Sequence, residues 1–512
     1  MNISSKKILF LLAAVIVLVS SCGHSVSDCQ MTPQLPTIEP DYRDIIIPPN
    51  IAPLNFRIRE DGRAFKAIFS SAAQEPIAIR SSSGLIQIPM RRWKKFITAC
   101  RGDSFTIDLF VQDSNRSWHR YPSITNYVSR QPIDSHLVYR IINPGYVLWW
   151  DLGIYQRDLT TFREKAIFTN RLTKRNCMNC HSFCLNDPAQ MIFHMRSEFG
   201  GTLLIQNDEV SKINTGTAFT MSAGVYPCWH PDGKHIAFSV NRIFQNFHAH
   251  RDKSTYVYDT ASDLVIYDIA NNRITTSPAV ATKRLENLPN WHPNGRDLYF
   301  ISASEFINNA PYDTVRYDLM HTTYDVATNE WGDVNPVITA RESGKSITFP
   351  KVSPDGRFLM FTMSDYGYFT IYTTSSDLYL YDLTRQEYAE LAVNSEHVDS
   401  YHSWSSDGHW FVFSSKRKDG LCARPYFSYV DDDGRASKPF LLPQSDPAYY
   451  ETFLLNYNVP ELVKGPVKTG HWQIAQKAVG DLVPVTFDST VAVDALSGAT
   501  KIVADAVSRP YH

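Results

Sequence analysis

Four stretches decide the fold: YPCWHPDGKHIAFS (226–239), LPNWHPNGRDLYFIS (288–302), FPKVSPDGRFLMFT (349–362) and YHSWSSDGHWFVFS (401–414). Each reads as strand, tight Asp-Gly or Asn-Gly turn, strand. Glycine takes the positive φ that the turn needs, and the flanking aromatic and β-branched residues suit a pleated surface. Asp232, Asn294, Asp355 and Asp407 are therefore turn residues, and Trp229, Trp291 and Trp404 are packing residues. A second strand pair follows each hairpin, at 262–274, 318–331, 376–388 and 426–442. Two hairpins make a four-stranded sheet, and such a sheet repeated along a chain is a propeller blade. A degenerate fifth copy, LNDPAQMIFHM (185–195) with an outer pair at 200–213, lies upstream, and the flanks leave room for a sixth. Gly233, Gly295, Gly356 and Gly408 are spaced 62, 61 and 52 residues apart. A compact blade needs ~40–45, so two blades carry insertions, at 241–259 and 303–318. Both leave the second inner strand, hence the same face. His248 and His250 form an HxH pair in the first, with no third metal ligand near in sequence.

Upstream of the repeats, strand-like bursts separated by turn residues predict a β-sandwich-like domain over 56–165. Six prolines between residues 29 and 55 predict an extended tether over 22–55. Residues 1–21 carry Lys6 and Lys7, then an apolar run of twelve from Ile8 to Val19, which is the pattern of a signal peptide and too short for a comfortable membrane span. After the propeller at 185–445, residues 446–512 read as a partly helical tail. The expected fold is all-β: a five- to six-bladed propeller behind a small β domain.

The chain has 512 residues, with 50 Lys plus Arg against 52 Asp plus Glu and a formal net charge of −2. That balance excludes a broad basic footprint for nucleic acid. There is no GxSxG, no GxxxxGK[ST] and no GxGxxG, so the chain reads as a carrier or binding protein rather than a hydrolase, kinase or Rossmann enzyme.

Two of the eight cysteines stand in Cys177-Met178-Asn179-Cys180-His181, over the segment 166–184. CxxCH is the attachment pattern of c-type haem: Cys177 and Cys180 would add to the vinyl groups and His181 would supply the proximal nitrogen to iron. Three other readings stay open: a thiol redox pair, zinc held by Cys177, Cys180, Cys184 and His181, and purely structural cysteines. His194 is the better candidate for a distal iron ligand, because it replaces a Ser of the repeat, whereas Met191 and Met195 align with core positions. The motif enters the innermost strand of its blade, which places a haem near one mouth of the channel, between the N-terminal domain and the propeller.

Three resemblances add expectations. The Pro-Asp-Gly hairpins are similar to the repeats of the TolB-type propeller family, over about half the chain. Val19-Ser20-Ser21-Cys22 resembles a bacterial lipobox, which implies a diacylated Cys22 and, with Gly23-His24 following, an outer-membrane lipoprotein facing the periplasm. Asp494 to Thr500 (DALSGAT) resembles the flavinylation motif of FMN-binding domains, in which Thr500 would carry FMN; it departs from that pattern at Lys501-Ile502-Val503. The combination resembles TolB-like, cytochrome c-related envelope lipoproteins. It implies periplasmic electron transfer or redox sensing with haem c, through a redox partner the sequence does not name. The rival readings are a scaffold that binds envelope proteins on its propeller face, with haem structural or absent, and a redox enzyme with an open iron site.

Overall fold

The computed structural model describes residues 29–144, 151–246, 256–492 and 496. Among them six four-stranded antiparallel sheets stand around one channel, so the repeats do build a propeller. Their innermost strands are Asn456–Val463, Met178–Phe183, Val225–Trp229, Leu285–Trp291, Ser346–Val352 and Asp399–Trp404, for blades 1 to 6 in that order. Each touches the next, and the sixth touches the first, which closes the ring.

The sixth blade was hidden because its parts lie at the two ends of the repeat region. Blade 1 pairs Asn456–Val463 with His136–Ile142, and continues through Gly153–Asp158 and Glu164–Thr169. Its innermost strand comes from the far end of the chain, so no Asp-Gly turn joins it to its neighbour. The domain boundaries change accordingly. Residues 136–169 belong to the propeller rather than to the N-terminal domain, and 456–463 is the closing strand rather than tail.

The rest of the tail covers edges. The helix His471–Ala478 buries Ile474, Ala475 and Ala478 against blades 1 and 2. Val483–Pro484 then pairs with the outer strand of blade 2, and Thr486–Phe487 with that of blade 3. An edge strand exposes unpaired backbone groups, and this tail occupies two of them.

The tether expectation also fails for residues 29–55. Tyr42, Ile45, Ile47, Ile51 and Leu54 are fully buried, and Ile46–Ile47 joins the seven-stranded sheet of the N-terminal domain. That domain packs the helix Met90–Ala99 under its sheet through Trp93 and Phe96. It shares its core with blades 1, 5 and 6, and Tyr42 Oη donates to Leu441 O in the outer strand of blade 6 at 3.2 Å. Prolines here separate short buried strands instead of holding an extended spacer.

Candidate functional site

Every innermost strand has a bulge at the same place. The ladder slips between Asn179 and Ser182, Val225 and Cys228, Asn287 and Asn290, Thr348 and Lys351, and Ser400 and Ser403. In blade 1 it slips opposite Val459-Pro460. The first residue of the bulge has positive φ at Tyr226, Leu288, Phe349, Tyr401 and Val459. The second is Pro227, Pro289, Pro350 or Pro460 in four blades, His402 in blade 6 and His181 in blade 2. Proline fits because a bulge takes a residue's N–H out of the ladder. The Cys180-His181 pair of the motif thus falls on a repeat position of the fold.

His181 is buried at 4% exposure, with its ring facing the backbone of Val138 and Val459 in blade 1. His402 faces the corresponding backbone of Met360 and Phe349 in blade 5, and its Nε2 donates to Met360 O at 3.0 Å, a bond that Nε2 of His181 does not make. Val138 and Met360 are themselves equivalent, since they pair with Glu461 and Lys351, the residues that follow the bulges. Burial pushes both rings down to about 3; for His181 the Arg140 charge adds to the effect. Each ring keeps one buried nitrogen without a hydrogen-bond partner, Nε2 in His181 and Nδ1 in His402.

The residue after the bulge reaches the next blade. Glu461 Oε1 accepts from Phe183 N at 3.0 Å, Asn290 Oδ1 from Val352 N at 2.9 Å and Cys228 Sγ from Trp291 N at 3.5 Å. Burial raises Glu461 to about 7, with the Lys351 charge opposing.

The expected site residues separate. His194 is buried with Nδ1 3.2 Å from Thr202 Oγ1. It lies on the face of the blade 2 sheet that carries Ile192 and Leu204 against blade 3, whereas His181 points to blade 1. One iron cannot take both, so His194 is not the distal partner of His181 in this arrangement. Met191 and Met195 are fully buried packing, as their alignment suggests. Cys177 is half-buried at the edge of the blade 1–blade 2 core, on the same side as His181. Cys184 sits at the following turn with Sγ against His230 O at 3.8 Å, and it joins no metal-type cluster with His181 among the described residues. The motif strand lies on the channel between blades 1 and 3, and among the described residues its neighbours are propeller strands rather than the N-terminal domain expected to clamp it. Cys22, His248, His250 and Thr500 lie outside the described residues, and of Cys180 only the backbone is described.

Side chains of the hairpin turns and the strands before them tie neighbouring blades together. Trp229 and Trp404 donate from Nε1 to Ser182 O (3.3 Å) and Lys351 O (3.0 Å) of the preceding blades. His230 and His292 reach forward, with Nε2 donating to Gly295 O at 2.7 Å and to Gly356 O at 3.1 Å. A Cβ on Gly356 would lie 2.7 Å from that His292 ring, so the close approach requires glycine there.

Sequence reasoning missed a crest on the insertion face. Tyr256 and Tyr312 stack with centroids 3.7 Å apart, Tyr258 stacks on Phe306 at 5.8 Å, and Tyr312 meets Tyr366 at 5.6 Å. These contacts join the connections of blades 3, 4 and 5 into one ridge. Phe244 and Ile307 stand out of it at 45% and 69% exposure. The density of Tyr and Phe within the two insertions is the signal that could have revealed it.

No protein-family model and no curated protein matches the chain. Several solved structures are similar to it. The β-propeller domain of the Trilobed protease from Pyrococcus furiosus is 11% identical over 64% of this chain and 79% of that one, at a TM-score of 0.30. An auxiliary nutrient binding protein from Bacteroides thetaiotaomicron is 14% identical over 81% and 86%, at a TM-score of 0.31. The Cps50 (Swd1) β-propeller domain from Myceliophteria thermophila is 10% identical over 50% and 69%, at a TM-score of 0.30. The sheets themselves, rather than these likenesses, establish the propeller.

Proposed function

We propose that this chain is a lipid-anchored binding propeller of a bacterial envelope, held at the outer membrane by Cys22 and engaging a protein partner with its insertion face. The aromatic crest carries this reading. Rigid stacked rings joined across three blades, with Phe244 and Ile307 raised out of them, form an apolar surface with little side-chain entropy left to lose on binding. The test places a photo-crosslinking amino acid at Ile307, and for comparison at the exposed Arg296 on the opposite face, in cells that make the natural protein. The reading expects one discrete adduct from Ile307, none from Arg296, and loss of the adduct in Phe244→Asp. Equal adducts from both faces would overturn it. Metabolic acyl labelling lost in Cys22→Ser tests the anchor.

A second reading is haem-based electron transfer or redox sensing, and one observation favours it. Nε2 of His181 is buried without a partner, on the same side of the sheet as Cys177. The twin ring of His402 weighs on the other side, because the fold builds that arrangement without any cysteine pair. When bound, haem c would supply a one-electron couple; Cys177, Cys180 and His181 would hold it, and the blade 1 wall at Val138 and Val459 would have to make room. FMN at Thr500 belongs to this reading. A pyridine haemochrome spectrum on chain made with haem-maturation machinery decides it. A covalent haem band lost in Cys177→Ala and Cys180→Ala supports it, and a folded, haem-free product removes it.

A further inference from the structure

The turn of blade 3 differs from the other three in one respect. Asp232 lies between two imidazoles, His230 before it and His235 after it, and the three ligand atoms fall within 4.8 Å of one another. His235 Nδ1 is 2.7 Å from Asp232 Oδ2, and His230 Nδ1 is 2.9 Å from Oδ1. His230 Nε2 donates to Gly295 O, a group that only accepts, which turns Nδ1 toward Asp232. There Nδ1 lies 3.2 Å from Asp232 N, and Oδ1 accepts from Lys234 N and His235 N at 2.7 and 3.1 Å.

Blade 4 carries the same turn without the second imidazole, Asp297 standing where blade 3 has His235. His292 makes the same Nε2 bond to a glycine carbonyl and its Nδ1 accepts from Asn294 N at 3.1 Å. There Asn replaces the Asp, and its Nδ2 is drawn off to Asp297 Oδ2 at 2.6 Å. In blades 5 and 6, Ser353 and Ser405 replace the histidine, and their hydroxyls can donate to Asp355 and Asp407.

The geometry points to a divalent transition-metal site at His230, Asp232 and His235, of the zinc class. Two imidazole nitrogens and one carboxylate oxygen suit that class, and nitrogen ligands disfavour calcium or magnesium. The His230 Nε2–H bond to a backbone carbonyl is the outer-shell contact that fixes the ring with Nδ1 toward Asp232, where a metal would take the lone pair now facing the Asp232 N–H. The two contacts go to different oxygens of Asp232, so its carboxylate would turn to bring one oxygen between the rings, and each contact would open by roughly 0.5–0.7 Å to reach the edges of a tetrahedron with ~2.1 Å bonds. Asp232 and His235 are partly exposed, which leaves a coordination position for water or an added ligand. Because His230 also holds blade 4 through Gly295, the metal would tie the two blades together.

The test is zinc titration by calorimetry of the full chain after chelator treatment, with thermal melting alongside. The site predicts one zinc equivalent and a higher Tm on loading. It predicts affinity weakened roughly 100-fold or more in Asp232→Asn, with the equivalent retained in the Cys177→Ala/Cys180→Ala double variant. Asp232→Asn copies the blade 4 turn, and its metal-free Tm shows that it folds. His235→Phe, which copies Phe358 of blade 5, serves as the second variant. No zinc bound by the wild type, or zinc bound equally by Asp232→Asn and His235→Phe, overturns the proposal.

Discussion

His181 and His402 occupy the same place in blades 2 and 6, and only His181 follows a cysteine pair. Both rings lean on the preceding blade, both are buried, and both keep one unpartnered nitrogen. What differs is the wall. His402 packs on blade 5, whose strands follow one another in the chain. His181 packs on blade 1, where two segments about three hundred residues apart in sequence meet. Motif chemistry and ring closure therefore share one seam, and an experiment on either must control for the other.

Breaking the wall separates them most strongly. Val463 is fully buried in the closing strand, on the core shared by blades 1 and 2. Val463→Ala should destabilise the chain by about 1.5–3 kcal/mol. Denaturant unfolding measures the loss, and limited proteolysis should cut first near 177–184, next to the weakened wall, with the His402 region cut later.

Acid tests the two rings directly. Their folded pKa near 3 lies below the ordinary 6.5, so between those values the unfolded chain binds more protons than the folded one. Stability is then fully present above about pH 6.5 and falls with pH below it, by about 3 kcal/mol per ring at pH 4. Proline is the residue four other blades use here. His402→Pro should change stability at pH 7.5 by no more than about 1 kcal/mol and remove one ring's share of the acid loss. His181→Pro should match it if His181 is a strut alone. A match in acid response, with no haem band from either chain, would end the haem reading; a band present in the wild type and lost in His181→Pro would support it.

Glu461 contributes with the opposite sign. Burial raises its folded pKa to about 7, above the ordinary 4.5, so the folded chain holds the extra proton and stability falls as pH rises from about 4.5 through 7. Glu461→Gln keeps an acceptor for Phe183 N and should flatten that limb, gaining roughly 1–3 kcal/mol at pH 8. Chemical denaturation at pH 5 and pH 8 reads the difference. Lys351 stands in the equivalent place beside His402, so Lys351→Gln should not reproduce the gain.

Much of this was legible before the structure. The Asp-Gly and Asn-Gly turns marked four blades, because turn chemistry is local, and the degenerate copy marked a fifth. The CxxCH spacing was equally plain. What hid was non-local: the Asn456–Val463 strand carries no turn signal, since its partner at His136–Ile142 arrives from the other end of the chain. The bulge was hidden too. Cys180-His181 shows no likeness to Tyr226-Pro227 or Leu288-Pro289 as letters, and only the ladder slip aligns them. A spacing that specifies cofactor chemistry and a position that specifies backbone geometry coincide in the same two residues, and residue types alone do not tell them apart.

The indoles give a smaller contrast. Trp229 and Trp404 each donate to the preceding innermost strand, while Nε1 of Trp291 has no partner. Trp404→Phe and Trp229→Phe should each lose about 1 kcal/mol for the bond beyond the shared loss of ring volume, and Trp291→Phe should lose less by that amount.

Cys177 is expected to matter least to the apoprotein and most to the interpretation. It is half-buried at the edge of an aliphatic and aromatic core. Cutting its CH2SH side chain to a methyl group there should cost no more than about 1 kcal/mol, because little apolar area is lost. A Cys177→Ala chain that melts like the wild type under both haem-supplying and haem-free expression has no covalent group holding the seam closed, and His181 then stands with His402 as a strut between blades. If the wild type made with haem melts well above the variant, while the two agree without haem, the attached group packs in the folded state and stabilises it. The difference between the two cultures, rather than the size of either melt, assigns the motif.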